Sequence, residues 1–295
     1  MASIYASLPL SGRAVDLGRA LLHGAELAME RAGGALPELV VLDTGGEGRV
    51  ERAEAAARQA AGDPSALAYL GDVYSDQVEA SSRILGPTGL LQVAPVATAT
   101  ELGGPTLVRL MPDDRVGASA IADWLVGAGV SELLVVHDHD PAYGVAVGRM
   151  CVEAARARGL TTRSRPVWNH DEEWAGDIGD AGALLYAGVA GSGAVGLWES
   201  LHGARPDMWL LGTDGVAVSW LAEAISPSAA ERTRFFVAPT RPIESYGEDA
   251  MALILQAMAD GGDDREAVVR AARARHTPPT DYGCLAVVAQ KLASA

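Results

Sequence analysis

Short apolar runs alternate with longer amphipathic segments along almost the whole chain. The runs have the length of buried strands, whereas the segments between them place apolar residues at helical spacing. The first three pairs are Ile4–Leu8 with Val15–Arg31, Leu39–Leu42 with Glu51–Gln59, and Leu67–Leu70 with Asp76–Leu85. Because each strand leads into a helix before the next strand begins, the pattern predicts an α/β fold built from parallel βαβ units.

The alternation falls into two series, which predicts two similar lobes. The first series ends with strands at Leu90–Ala94 and Leu107–Met111, and a helix is predicted over Ala118–Gly127. Strands of the second series are predicted at Leu133–His137, Thr162–Val167, Ala183–Ala187, Met208–Gly212 and Phe235–Ala238. Its helices are predicted at Val145–Arg158, Ala194–His202 and Val218–Ile225.

After the second series the chain is predicted to return to the first lobe. Two further helices, Tyr246–Ala259 and Asp264–Ala274, follow the last strand, and the break between lobes falls near Met111-Pro112-Asp113-Asp114. The predicted lobes are residues 1–112 with 241–278 and residues 113–240 with 279–295. No low-complexity linker is present, so we expect short crossovers between the lobes rather than tethered modules.

Composition excludes several classes of protein. No apolar run approaches the roughly 18 residues that a transmembrane helix needs, which argues against a membrane-spanning role. The formal net charge of −15 would repel phosphate backbones, so no nucleic-acid partner is expected. The two cysteines, Cys151 and Cys284, are too few for a disulfide scaffold and form no zinc-ligand cluster in the sequence.

The first residues lack the pattern of a secretory signal. A signal would show a basic segment, an apolar run and a small-residue cleavage site, whereas Ile4–Leu8 already reads as a buried strand. We therefore expect either a cytoplasmic protein or the mature form of an exported one.

The motifs that could carry catalysis or bind a cofactor are incomplete. Gly45-Gly46-Glu47-Gly48 follows a strand but does not complete a dinucleotide fingerprint, and the chain has no G-x-S-x-G nucleophile motif. In His137-Asp138-His139-Asp140, adjacent strand residues point to opposite faces and converge poorly on a metal. The glycine-rich run 188–193 is either a tight turn or a ligand contact. We expect no enzyme, no cofactor and no metal.

Six segments, in order, resemble the amino-acid-binding family of type I periplasmic binding proteins, typified by the leucine/isoleucine/valine-binding protein of ABC transporters. They are Leu10-Ser11-Gly12 with His23–Ala28, Tyr69–Ser75, Gln92–Leu102, Val108–Asp114, His137–Gly144 and Leu211–Gly215. The resemblance runs nearly end to end. It implies two Rossmann-like parallel-sheet lobes with a ligand cleft between them.

The resemblance also implies a site for a free α-amino acid. Ser75 and Thr98 match first-lobe hydroxyl positions, and Val96 and Ala97 match positions that offer backbone groups. Asp214 matches the acidic position that holds the ligand ammonium. Tyr143 matches a tyrosine that packs on the ligand. The ordinary alternatives are strand-end capping for the hydroxyls, a turn or helix cap for the aspartate and core packing for the tyrosine.

Departures from the family bear on specificity. Where branched-chain binders have aromatic rings, this chain has Leu17 in the first lobe and Val189 or Ala190 in the second. Tyr246 is predicted either to refill part of that space or to pack in the core. Arg13 and Arg19 lie near the predicted cleft and could meet an acidic side chain, although such residues are usually exposed. The resemblance favours an apolar or branched-chain-like amino acid.

The predicted function is solute binding by hinge closure of two lobes, with delivery to an ABC permease if the protein is exported. The alternative is a ligand-sensing domain of a regulator, an amino-acid or amide sensor, either monomeric or dimeric through the first lobe. An enzyme that uses the same cleft is disfavoured because no nucleophile and base are paired in the sequence.

Overall fold

The computed structural model describes residues 1–46, 49–139, 141, 143–167, 178–189, 193–217, 223–237, 241–277 and 283–286. The chain forms two compact units. We call them unit 1 (Met1–Met111 with Arg241–Pro279) and unit 2 (Pro112–Thr240 with Thr280–Ala295). All six tryptophans of the chain, at positions 124 to 220, belong to unit 2.

Unit 1 contains a parallel sheet of five strands in the order β2-β1-β3-β4-β5. The strands are β1 (Ser3–Leu8), β2 (Glu38–Asp43), β3 (Ala66–Leu70), β4 (Leu91–Ala94) and β5 (Leu107–Arg109). Its helices are α1 (Val15–Ala32), α2 (Val50–Gly62), α3 (Ser75–Leu85) and two that follow unit 2 in sequence, α8 (Ile243–Gly261) and α9 (Arg265–Arg275).

Both faces of the unit 1 sheet are covered, because alternate residues of each strand point to opposite faces. In β1, Ile4 and Leu8 join a core cluster with Met251 and Ile254 of α8. The intervening Tyr5 joins a separate cluster with Tyr69. Burial on both sides explains why the strands read as nearly continuous apolar runs.

Glycines allow α1 and α8 to approach closely. A Cβ atom at Gly24 would lie 1.9 Å from the carbonyl oxygen of Glu244, and one at Gly247 would lie 2.0 Å from that of Leu21. Real side chains do not tolerate such distances. The two backbones can therefore pack at this separation only with glycine at both positions.

Unit 2 contains a sheet in the order β11-β10-β9-β8-β6-β7. Its parallel strands are β6 (Glu132–His137), β7 (Thr161–Pro166), β8 (Ala183–Ala187), β9 (Trp209–Gly212) and β10 (Thr233–Val237). Its described helices are α4 (Asp114–Gly127), α5 (Gly144–Ala157), α6 (Ala194–Ala204) and the short α7 (Pro227–Glu231). Two parallel sheets flanked by helices confirm the predicted α/β class.

Three details of unit 2 differ from the sequence prediction. Helix α4 begins four residues earlier than predicted because the Asp113 carboxylate accepts hydrogen bonds from the N–H groups of Arg115 (3.0 Å) and Val116 (3.3 Å), capping the helix. Strand β11 (Gly283–Ala286) is an antiparallel edge strand that was not predicted from the sequence. Helix α7 was not predicted either. Most of the helix predicted at Val218–Ile225 lies outside the described residues. Within the described ranges, every helix is too short or too polar to cross a membrane.

Candidate ligand-binding site

The loops that follow β3 and β4 bring two predicted residues of unit 1 together. Ser75 is the first residue of α3, and its Oγ accepts a hydrogen bond from the N–H of Ala99 at 3.3 Å. Ala99 directly follows Thr98, and its carbonyl oxygen accepts from Arg109 at 2.5 Å. The backbone N–H and the carbonyl group of Ala99 are thus both hydrogen-bonded. The Ser75 hydroxyl therefore lies beside the loop that carries Thr98.

Val96 and Ala97, which the resemblance assigns as sources of backbone groups, precede Thr98 in the loop after β4. The Ala97 side chain is buried in a small apolar cluster with Val78 and Leu107, so its methyl group is committed to packing. Val96 is half-buried and packs against the main core of unit 1, and Thr98 itself is only 7% exposed.

A buried carboxylate that the sequence reading missed lies before Ser75. Asp72 is fully buried, and its Oδ1 accepts hydrogen bonds from the hydroxyls of Ser7 (2.5 Å) and Tyr69 (3.2 Å). Gln92 donates to the carbonyl oxygen of Gly71 at 3.1 Å. Burial raises the pKa of Asp72 to about 6, although these hydroxyls favour the charged form. The loop leading to Ser75 is therefore held by polar groups inside the sheet.

The raised pKa of Asp72 predicts a pH dependence of stability. Its unfolded value is 3.8, so the folded state holds the proton more tightly and this group lowers the free energy of unfolding as the pH rises from about 4 to about 6. The free energy of unfolding of Asp72→Asn, measured with urea, should therefore rise by about 2 kcal/mol relative to the wild type between pH 4 and pH 7. Asp123→Asn is the control, because Arg158 lowers the pKa of that exposed carboxyl and such a shift acts below about pH 4, so its stability relative to the wild type should change little over this range. An unchanged difference between Asp72→Asn and the wild type at the two pH values would contradict the assignment.

Leu17 and Tyr246, predicted as side-chain contacts, pack toward the core of unit 1. Leu17 is half-buried against the main cluster, and Tyr246 on α8 is a member of it, 7% exposed. The Arg241 guanidinium lies 5.5 Å from the centre of the Tyr246 ring. Tyr246 also lines a cavity of about 420 Å³ whose other residues include Leu110 and His276.

In unit 2, Tyr143 and Asp214 meet although they are far apart in sequence. The Tyr143 hydroxyl donates to Asp214 Oδ1 at 2.5 Å and lies 3.1 Å from the Thr213 hydroxyl oxygen. The N–H of Gly215 donates to both the Tyr143 oxygen (2.9 Å) and Asp214 Oδ1 (3.0 Å). Burial and the negative charge of Asp214 raise the pKa of Tyr143 well above its usual value, so this phenol stays protonated.

Sheet topology explains this meeting. Tyr143 immediately precedes α5, Asp214 begins the turn after β9, and β8 lies between β6 and β9 in the sheet. A Cβ atom at Gly215 would lie 2.5 Å from the carbonyl oxygen of Gly188 and 2.6 Å from a ring carbon of Tyr143. Only glycine therefore fits beside Asp214 in this packing.

Asp138 anchors the loop that carries Val189. Its Oδ2 accepts from the N–H of Val189 at 3.0 Å, and its own N–H donates to Ala187 at 3.0 Å. Val189 lies in the glycine-rich run after β8, while Ala190 lies outside the described residues. Among the described residues, no three His, Cys, Asp or Glu side chains are grouped as metal ligands.

Comparisons with known proteins were made for the whole chain. The profile of the family described as Periplasmic binding protein matches residues 4–171, more than half of the chain. A leucine-binding protein from Thermotoga maritima has 21% identity and a TM-score of 0.76, covering 92% of this chain and 87% of that one. No curated protein matches by sequence.

Two further solved structures were determined with ligands. A branched-chain amino acid transporter substrate-binding protein from Streptococcus pneumoniae, in complex with isoleucine, has 15% identity, a TM-score of 0.73 and coverage of 92% and 87%. A solute-binding protein from R. palustris, in complex with benzoate, has 18% identity, a TM-score of 0.73 and coverage of 96% and 88%. At these identities the likeness establishes the fold.

Proposed function

This chain belongs to the periplasmic binding protein family, and from that membership we propose that it captures a free amino acid and delivers it to an ABC transporter. The family consists of non-enzymatic substrate-binding proteins that act outside the cytoplasm, and the solved neighbours include a leucine-binding protein and complexes with leucine and isoleucine. We place this protein outside the cytoplasm as well, with the permease of the transporter as its partner.

The observation that supports an amino acid is the Asp214 carboxylate. Tyr143 and the N–H of Gly215 hold its Oδ1 in one orientation, and a fixed carboxylate is the natural partner of an ammonium group. Hydrogen bonds to charged groups are about twice as strong as neutral ones, and they gain strength where water is excluded.

Unit 1 offers the complementary chemistry. The Ser75 hydroxyl, the Thr98 hydroxyl and the peptide groups of residues 96–98 provide donors suited to a carboxylate. A zwitterionic ligand requires both kinds of group. We propose that both units contact the ligand, so that ligand binding favours a closed state that the permease recognises.

A ligand screen tests the proposal. The protein is unfolded and refolded to remove any retained solute, and the melting temperature is measured with each of the twenty amino acids and with benzoate. A ligand at about 100 times its Kd should raise the stability by about 2.7 kcal/mol. An increase with free amino acids supports the proposal. Stabilisation only by ligands without an α-ammonium group, such as benzoate, would overturn it.

A further inference from the structure

Unit 1 has a cavity at the carboxyl ends of β1, β2 and β3, the edge at which open α/β sheets bind ligands. Its volume is about 380 Å³. It is lined by Ser11, Gly12, Gly45, Gly46, Arg49, Arg52 and Tyr74, and we call it the arginine pocket. One of the lining residues, Tyr74, immediately precedes Ser75, whose hydroxyl we assign to the α-carboxylate.

The walls of the pocket are fixed by hydrogen bonds. Asp43 Oδ1 accepts from the N–H groups of Leu10 (2.9 Å) and Gly45 (2.8 Å), which ties the loops after β1 and β2 together. On the other side, the fully buried Gln77 side chain donates to the carbonyl oxygens of Gly46 (3.3 Å) and Arg49 (3.5 Å). The loops that carry the two arginines are therefore anchored to the body of unit 1.

The pocket presents two arginines in a strongly acidic chain. Its lining contains Arg49 and Arg52, and no acidic residue belongs to the lining that the structure describes. The ion pairs of these arginines are long, with Arg49 to Glu51 at 3.9 Å and Arg52 to Asp43 at 3.6 Å. Both side chains are about half exposed, so their charges can reach a solute without breaking a close pair.

We propose that the solute is an acidic amino acid, whose side-chain carboxylate binds Arg49 and Arg52. Guanidinium groups bind carboxylates with paired, charge-assisted hydrogen bonds, and an apolar side chain would gain nothing from them. This inference rests on the proposed function and replaces the apolar side chain that the family resemblance favoured. The sequence analysis singled out Arg13 and Arg19 as arginines that could meet an acidic side chain. The present inference assigns that contact to Arg49 and Arg52 instead. Arg19 is exposed.

Isothermal titration with L-glutamate, L-glutamine, L-aspartate and L-leucine tests the inference. Glutamate and glutamine have nearly the same shape, so the ratio of their affinities isolates the effect of the side-chain charge. We expect the wild type to bind glutamate or aspartate at least tenfold more tightly than glutamine or leucine. Arg52→Gln and Arg49→Gln should each reduce the affinity for the acidic ligand about tenfold and change that for glutamine less than twofold.

Two further variants serve as controls. Arg58→Gln lies on the same helix as Arg52 and removes an exposed arginine that pairs with Glu54 at 2.8 Å, so its affinities should equal those of the wild type. Arg52→Lys keeps the charge and should retain part of the preference for the acid. If Arg52→Gln does not fold, the same measurements are made on Arg49→Gln, because Arg49 is the more exposed of the two.

Each outcome separates this inference from the proposed function. If glutamine or leucine binds as tightly as glutamate, and the arginine variants leave both unchanged, the acidic specificity is wrong while amino-acid binding stands. If none of the four ligands binds and the screen shows no amino acid that does, the proposed function fails and the inference fails with it.

Discussion

Replacement of Asp214 by alanine is expected to weaken amino-acid binding about a hundredfold. Removing one partner of a hydrogen-bonded charge pair costs about 2 to 5 kcal/mol, because the remaining charge is left without compensation. Here the remaining charge is the ammonium of the ligand. Isothermal titration with the best amino acid from the screen measures the change.

Conservative variants separate charge from shape at this position. Asp214→Asn keeps the size but removes the charge, and should lose nearly as much affinity as the alanine variant. Tyr143→Phe removes the hydroxyl that orients the carboxylate at 2.5 Å and should cost about tenfold. Asp207→Asn is the matched control, since Asp207 is exposed and pairs with Arg205 in the same unit. Unchanged affinity in Asp214→Ala would disprove the ammonium assignment.

Replacement of Gly247 by alanine is expected to destabilise unit 1 by about 3 kcal/mol. The added methyl group would lie 2.0 Å from the carbonyl oxygen of Leu21, so helices α1 and α8 must move apart and lose packing along their length. Urea unfolding followed by far-ultraviolet circular dichroism reports on both units. Tryptophan fluorescence reports on unit 2, which holds every tryptophan. The dichroism transition should shift to lower urea while the fluorescence change stays near its wild-type midpoint, unless the units unfold together.

Gly62→Ala provides the matched control for this prediction. Gly62 is exposed at the end of α2, and a Cβ atom there would meet nothing within 4 Å. The same substitution should therefore leave the stability unchanged or raise it by up to about 1 kcal/mol, because alanine favours helix more than glycine does. Equal effects of the two substitutions would show that the close helix approach does not limit stability.

The fold could be predicted from the sequence because both faces of each sheet are buried. Strands such as Leu67–Leu70 then read as unbroken apolar runs, and the structure differs there by one residue. Errors occurred where local chemistry overrides periodicity. Asp113 caps helix α4, so that helix begins earlier than its apolar periodicity predicts, and the antiparallel strand β11 was not predicted. The suspected family is confirmed by the match over residues 4–171.

The site depended on the resemblance far more than on periodicity or spacing. Nothing in the sequence between Tyr143 and Asp214 shows that their oxygens lie 2.5 Å apart, because sheet order creates that proximity. Asp72 escaped notice since a lone aspartate after a strand is usually exposed, and its burial depends on partners 65 residues away such as Ser7. The arginine pocket could not be predicted from the sequence either, because its lining residues come from loops after three different strands.

The order of elements along the chain has a consequence for biosynthesis. All five strands of unit 1 are complete by residue 109, but α8 and α9, which cover one face of that sheet, are made only after residue 240. Nearly all of unit 2 is therefore synthesised while the apolar residues of β1, β3 and β4 still lack the partners that bury them. A nascent chain released or truncated before α8 should expose this surface to chaperones and proteases, whereas residues 112–240 lack only one edge strand of their sheet.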